Sequence, residues 1–132
     1  MVAGILVGHG ELPQAIHKTV QSFIGAQEHF QVISNENCSA QVLKKRIERA
    51  IENSGCPDTV IFVDLFGGSC ANISKQILID TIKKDGKANN LSILCGVNIA
   101  ILIKFFECRN KLNFQELIEL LEKTGKNEIR VL

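Results

Sequence analysis

Thr59-Val60-Ile61-Phe62-Val63-Asp64-Leu65-Phe66-Gly67-Gly68-Ser69 decides how the rest of the chain is read. A continuous β-branched and aromatic run is the pattern of a strand covered on both faces, as in a parallel sheet with helices packed above and below. The run stops at a carboxylate, turns through Gly67 and Gly68, and gives way after Ser69 to a helical pattern of Ile73, Ile77, Leu78, Ile79 and Ile82. These residues are spread too widely for one apolar stripe, so the helix is expected to bury a second side against another subunit.

The same unit recurs on either side. Val2 to Val7 is apolar and closes with Gly8-His9-Gly10, after which Leu12, Ala15, Ile16, Thr19, Val20 and Phe23 recur at helical spacing up to Gly25. Pro13 fits the first turn of that helix, where its missing N–H has no intrahelical partner to lose. Phe30 to Ile33 reads as a second strand. Leu43, Ile47, Ala50 and Ile51 line one face of the next helix, whose other face, Lys44, Lys45, Glu48, Arg49 and Glu52, is solvated. Leu91 to Cys95 is a further strand, followed by a helix from near Asn98 to about Phe106. The last helix opens at Asn113 with Glu116 as its capping-box partner and is expected to stop at Gly125. Asn127 to Leu132 alternates Glu128 and Arg130 with Ile129 and Val131, the period of a half-buried strand. The order predicts an α/β fold in one domain over residues 1–132: a doubly wound, mainly parallel sheet with helices on both faces.

With 45% hydrophobic residues in 132, disorder is excluded and a core can form without a metal or disulfide staple. The 15 Lys and Arg nearly balance the 14 Asp and Glu, and no long basic run exists, so neither nucleic-acid nor membrane-surface binding is supported. The most apolar stretch, Leu91 to Phe106, is broken by Ser92, Gly96, Asn98 and Lys104 and falls short of the roughly 20 apolar residues that span a bilayer. Five cysteines at irregular spacing, without a C-x-x-C pair or a secretory leader, point to a reducing cytoplasm.

Sheets of this type bind ligands beyond the carboxyl ends of their strands, near the point where strand order reverses. Two unusual segments lie at such ends, Gly8-His9-Gly10 and Asp64 to Ser69. His9, flanked by glycines, is either a reachable imidazole or a turn residue without a role. Asp64 ends an apolar strand, where an ionised carboxylate needs a donor. If the first and third strands are neighbours, that donor is the His9 ring, and the carboxylate then fixes the tautomer and leaves the other nitrogen free as a nucleophile; the plainer alternative is that Asp64 caps its own loop. Gly67, Gly68 and Ser69 open a helix whose amides favour an anion such as phosphate, although the same residues serve an ordinary connection with Ser69 as N-cap. No Lys follows the glycines, so no nucleotide P-loop is indicated. A receiver domain would need acidic residues after the first strand to bind magnesium; their absence moves the phosphoacceptor to His9, with Asp64 as its orienter, and no metal or cofactor is expected. His17 and His29 read as solvated. Cys70, beside the site, is a small buried hydrophobe or a thiol of lowered pKa. A hydrolase using Ser69 lacks the G-x-S-x-G elbow.

Gly8-His9-Gly10, Val63 to Ser69, and Cys95-Gly96-Val97-Asn98-Ile99, in this order and spacing, resemble the enzyme IIA component of the mannose family of the bacterial phosphoenolpyruvate-dependent sugar phosphotransferase system. The resemblance runs over essentially the whole chain. It implies that His9 accepts a phosphoryl group from the histidine-containing phosphocarrier protein and passes it to a IIB component on a separate chain. It further implies that Asp64 holds the ring, that Ser69 and the neighbouring amides of Gly67 and Gly68 meet the phosphoryl oxygens, and that the C-terminal strand is exchanged in a homodimer. Phe66 stands where the family often has Trp, Cys70 where it has Pro, and Asn98-Ile99-Ala100-Ile101 where it has Asn-Ile-Pro-Met. The competing implication is a phosphorylation-dependent regulatory domain of the same fold.

Overall fold

Strands and helices alternate in the computed structural model, which describes residues 1–86 and 90–132. The elements are β1 (Val2–Gly8), α1 (Leu12–Ile24), β2 (Phe30–Ser34), α2 (Ala40–Glu52), β3 (Asp58–Val63), α3 (Ser69–Asp85), β4 (Leu91–Cys95), α4 (Ile99–Cys108) and α5 (Phe114–Asn127). All strand pairs are parallel, in the order β2-β1-β3-β4. From β1 the chain moves outward to β2 on one side and from β3 to β4 on the other, so strand order reverses between β1 and β3. Val7 lies opposite Val63 there, which brings the residues that follow each strand side by side.

Alternation along the central strands feeds two cores. Leu6, Val60, Phe62 and Leu94 pack with α1, α4 and α5, whereas Ile5, Val7, Ile61 and Val63 pack with α2 and α3. Phe62 and Phe105 are fully buried and meet edge to face, with centroids 5.0 Å apart; truncating either to Ala should cost about 3–5 kcal/mol. The caps follow sequence chemistry. Asn98 caps α4 through the Ile101 N–H, and Asn113 with Glu116 forms the expected capping box of α5. No described helix is long and apolar enough to cross a membrane.

The chain departs from expectation in three places. In α1 the buried residues are Pro13 and Val20, with Ile16 and Ile24 packed beside them, while Leu12 and Phe23 are exposed. The inward face is therefore rotated from the one that apolar spacing suggests, and it carries His17, whose ring stacks on Phe30 at 5.2 Å. His17 is thus not solvated. Gly125 does not stop α5, which runs on to Asn127. A Cβ at Gly125 would lie 2.5 Å from Ile101 Cδ1, so glycine serves the close approach of α5 to α4. Glu128 to Leu132 forms no strand: Glu128 is the C-cap of α5, and Ile129 and Val131 are exposed. Alternation supplies the faces of a strand but not the partner that its backbone groups require. Ile79 of α3 is half-buried and Ile82 exposed, so the side of the helix expected to meet another subunit stands uncovered in the single chain.

Candidate functional site

β1 delivers His9 to the rim of the sheet at the reversal point, directly beside the end of β3. Gly8 permits this through its size: a Cβ there would lie 3.0 Å from Asp64 Oδ2 and 3.1 Å from its Cγ, and would force the carboxylate away. Gly10 turns the chain into α1 with φ +59°, a conformation that costs a glycine little. The loop is held from its other side by the end of β2. The Asn35 N–H donates to the Gly8 carbonyl at 3.0 Å, the Gly10 N–H donates to Asn35 Oδ1 at 3.2 Å, and the Ser34 hydroxyl donates to the Gly10 carbonyl at 2.6 Å. Asn35 thus holds both peptide groups flanking His9, and Ser34 holds the next one, between Gly10 and Glu11. Sequence reading passed over these two; the only signal was that they end a strand on the same side of the sheet.

Asp64 receives His9 twice. The His9 backbone N–H donates to Oδ2 at 2.9 Å, and ring Nδ1 lies 3.0 Å from both carboxylate oxygens. An ionised carboxylate only accepts, so Nδ1 is the protonated nitrogen and the lone pair resides on Nε2. The carboxylate is 8% exposed and the imidazole 38%, which leaves the ring accessible and its orienter covered. Nε2 points to the start of α3, 3.4 Å from Ser69 Oγ.

Gly67, at φ +80°, turns the chain after β3 toward α3. A Cβ at Gly68 would lie 3.3 Å from His9 Cε1, so the absence of a side chain lets this backbone lie against the ring. Gly68, extended, is the N-cap of α3, and Ser69 is its first helical residue, which corrects the expectation that Ser69 caps. Its hydroxyl is consequently available to face His9. The first-turn amides and the positive end of the helix dipole supply an environment for negative charge beside Nε2. Leu65 and Phe66, 58% and 85% exposed, form an apolar rim.

Cys70 lies fully buried under the site. Burial, reinforced by the Asp64 charge, pushes its thiol pKa up, so it is not the activated thiol that a helix start alone suggested. Ligand atoms of His9, Asp64 and Cys70 lie within 4.8 Å of one another, a donor set able to hold a metal ion. The remaining histidines stand apart. His17 Nε2 is buried without a hydrogen-bond partner, and burial lowers that ring's pKa; exposed His29 sets Nδ1 3.0 Å from the Ser54 carbonyl.

The arrangement defines an α/β protein with an oriented, accessible imidazole beside the start of a helix at the reversal point of a parallel sheet. The profile of the family described as "PTS system fructose IIA component" matches residues 4–122, and the chain belongs to this family of phosphotransferase-system components. It is 23% identical over 133 aligned positions to the PTS system fructose-specific EIIA component of Bacillus subtilis (strain 168), covering 99% of this chain and 86% of that protein. Identity is 26% over 120 positions to the PTS system sorbose-specific EIIA component of Lacticaseibacillus casei, covering 90% of this chain and 82% of that one. The fold matches the crystal structure of phosphotransferase system component EIIA from Streptococcus agalactiae with a TM-score of 0.87 at 20% identity, over 99% of this chain and 97% of that chain. The protein therefore has its role in sugar phosphotransfer, among the mannose-family IIA components.

Proposed function

We propose that the 132 residues form one domain that acts in the cytoplasm as a phosphohistidine relay, taking a phosphoryl group from the histidine-containing phosphocarrier protein onto His9 and passing it to a IIB component on another chain. The observation that carries this reading is the double hold of Asp64 on His9, which leaves Nε2 as the free nucleophile. In the accepting step the Nε2 lone pair forms a bond to phosphorus while the bond from phosphorus to the donor nitrogen breaks and its electron pair returns to the donor ring. Positive charge grows on the His9 ring during attack, and the hydrogen bond from Nδ1 to Asp64 strengthens with it. The equatorial oxygens are met by the amides around Gly67, Gly68 and Ser69 and by the Ser69 hydroxyl. Transfer onward reverses these roles. Positioning and charge neutralisation are the whole of the protein's task, so no metal or cofactor enters the relay.

His9 alone of the three histidines combines access with a carboxylate orienter and a helix start facing its other nitrogen; His17 stacks on Phe30, and exposed His29 has only the Ser54 carbonyl. We further propose a homodimer in which residues 128–132 of one protomer pair with β4 of its partner. β4 is an edge strand, and beside it runs a groove of about 500 Å³ lined by Phe66, Ile93, Leu94 and Ile118. The relay is tested by incubating the chain with phosphocarrier, the first enzyme of the system and phosphoenolpyruvate and following intact mass. One acid-labile phosphoryl adduct, lost in His9→Ala, is expected; an unmodified parent, or an adduct retained in His9→Ala, overturns the reading.

A further inference from the structure

We propose that His9, Asp64 and Cys70 form an inhibitory binding site for Zn²⁺, and that the ion disarms the site by moving the imidazole proton onto the nucleophilic nitrogen. The donors arrive from three places in the fold: the loop after β1, the end of β3 and the first turn of α3. Imidazole nitrogen, carboxylate oxygen and thiolate sulfur are the zinc-binding set, and tetrahedral bonds of about 2.0–2.3 Å set their atoms roughly 3.3–3.6 Å apart. Here Nδ1 and the carboxylate oxygens are 3.0 Å apart, and one ligand atom from each of the three residues lies within 4.8 Å of the others. Closing the set needs side-chain rotations of about an ångström, with the fourth position left to water.

Charge favours the ion at this depth. Asp64 and a Cys70 thiolate together balance Zn²⁺, and with a neutral imidazole the partly buried cluster carries no net charge. Without a metal the same covered thiol stays protonated, because a thiolate would sit unpaired beside Asp64.

Proton bookkeeping gives the consequence. Zinc takes the place of the proton on Nδ1, and a neutral imidazole then carries its proton on Nε2; the Cys70 thiol gives its proton to solvent, so one proton is released per ion bound. Nε2 becomes an N–H and has no lone pair with which to attack phosphorus. The converse holds as well. A ring phosphorylated on Nε2 is an imidazolium while Nδ1 holds its proton, and zinc can take Nδ1 only by displacing that proton and breaking its charge-assisted hydrogen bond to Asp64, so phosphorylation and metal weaken each other reciprocally. The inhibitory consequence rests on the relay reading; the metal site does not.

The test is titration of the unphosphorylated chain with Co²⁺ as a spectroscopic probe, followed by displacement with Zn²⁺. The expected result is a thiolate-to-cobalt charge-transfer band saturating at one equivalent, with one proton released per ion. In Cys70→Ala, and in the size-conserving Cys70→Ser, the thiolate band should be absent and zinc affinity about 100-fold lower, because losing a ligand costs at least what losing a ligand's hydrogen-bond partner does. Saturating zinc should halt phosphorylation of the parent while leaving Cys70→Ala within about twofold of its own metal-free rate. Absence of the thiolate band in the parent, or zinc binding by both folded variants within about threefold of the parent, overturns the proposal. A parent that shows the band but never takes up a phosphoryl group without metal sinks the relay reading and leaves the metal site standing.

Discussion

Replacing Asp64 with Asn alters almost nothing in volume and one thing in chemistry. The carboxylate accepts from two donors, the His9 backbone N–H at 2.9 Å and Nδ1 at 3.0 Å. A carboxamide has one uncharged acceptor oxygen and one donor nitrogen: with its oxygen in the place of Oδ2, within reach of both donors, its NH₂ stands in the place of Oδ1, 3.0 Å from Nδ1. That NH₂ donates toward Nδ1 and competes for the ring, favouring the opposite tautomer with the proton on Nε2. The nucleophilic lone pair is then on the wrong side. A hydrogen bond to a charged group is worth about 1.5–3 kcal/mol, and two are altered, so the loss spans roughly 3–6 kcal/mol. At about 1.36 kcal/mol per decade of rate, transfer to His9 should slow about 10²- to 10⁴-fold, the upper end matching the penalty for a wrong histidine tautomer in hydrolase triads. Rapid-quench phosphorylation by the phosphocarrier measures the rate, long-range proton–nitrogen spectra report the tautomer, and thermal unfolding establishes that the variant is folded. A folded Asp64→Asn variant that keeps the Nδ1–H tautomer and transfers within about threefold of the parent would refute the argument and leave Asp64 as a support for the loop.

Ser34→Ala and Asn35→Ala should each slow phosphorylation about tenfold by freeing the Gly10 carbonyl and the Gly10 N–H, which anchor the loop carrying His9, with Ser34→Thr restoring the rate because it keeps the hydroxyl; equal rates in all three variants would show that the hold of β2 on the loop is immaterial. His17 has its pKa lowered by burial from 6.5, so the fold favours the neutral ring. Its contribution to stability is complete above the unfolded value and is lost as pH falls through the folded one. The melting temperature of the parent should therefore drop more between about pH 7 and pH 5 than that of His17→Leu, and parallel curves would exclude the effect. Deleting Glu128–Leu132 should dissolve the proposed dimer in sedimentation experiments; a dimer that survives the deletion rules out the exchange, and a monomeric parent rules out the dimer.

What the sequence announced and what it withheld divide along physical lines. β3 was legible because a central parallel strand is apolar on both faces, and Asn98, Asn113 and Glu116 were legible because a cap acts within four residues of itself. His9 and Asp64 could be paired on paper because parallel neighbours end side by side. The inward face of α1 was not legible: spacing counts Leu12 and Phe23 as apolar without revealing that Phe30, at the start of β2, offers its ring to His17 instead. Gly125 looked like a helix stop because the nearness of Ile101, which explains it, is a contact across 24 residues of chain. The hold of Ser34 and Asn35 on Gly8 and Gly10 escaped for the same reason, since backbone-directed hydrogen bonds between loops leave no periodicity.

An imidazole that must present one nitrogen as a nucleophile has to be gripped by the other, and a carboxylate is the grip that also answers the positive charge of the transition state. The same grip gives the gripped nitrogen an affinity for any cation able to replace its proton. Asp64, 8% exposed, confines that hazard by leaving little room for an ion to enter as a bidentate guest from solvent. Cys70 changes the balance, because a third donor within 4.8 Å, lodged in the first turn of α3, supplies the ligand that a lone histidine–carboxylate pair lacks. Which state prevails then depends on the donor at the helix start more than on the pair itself, so Cys70→Ala should leave His9 oriented by Asp64 and take away only the metal's hold.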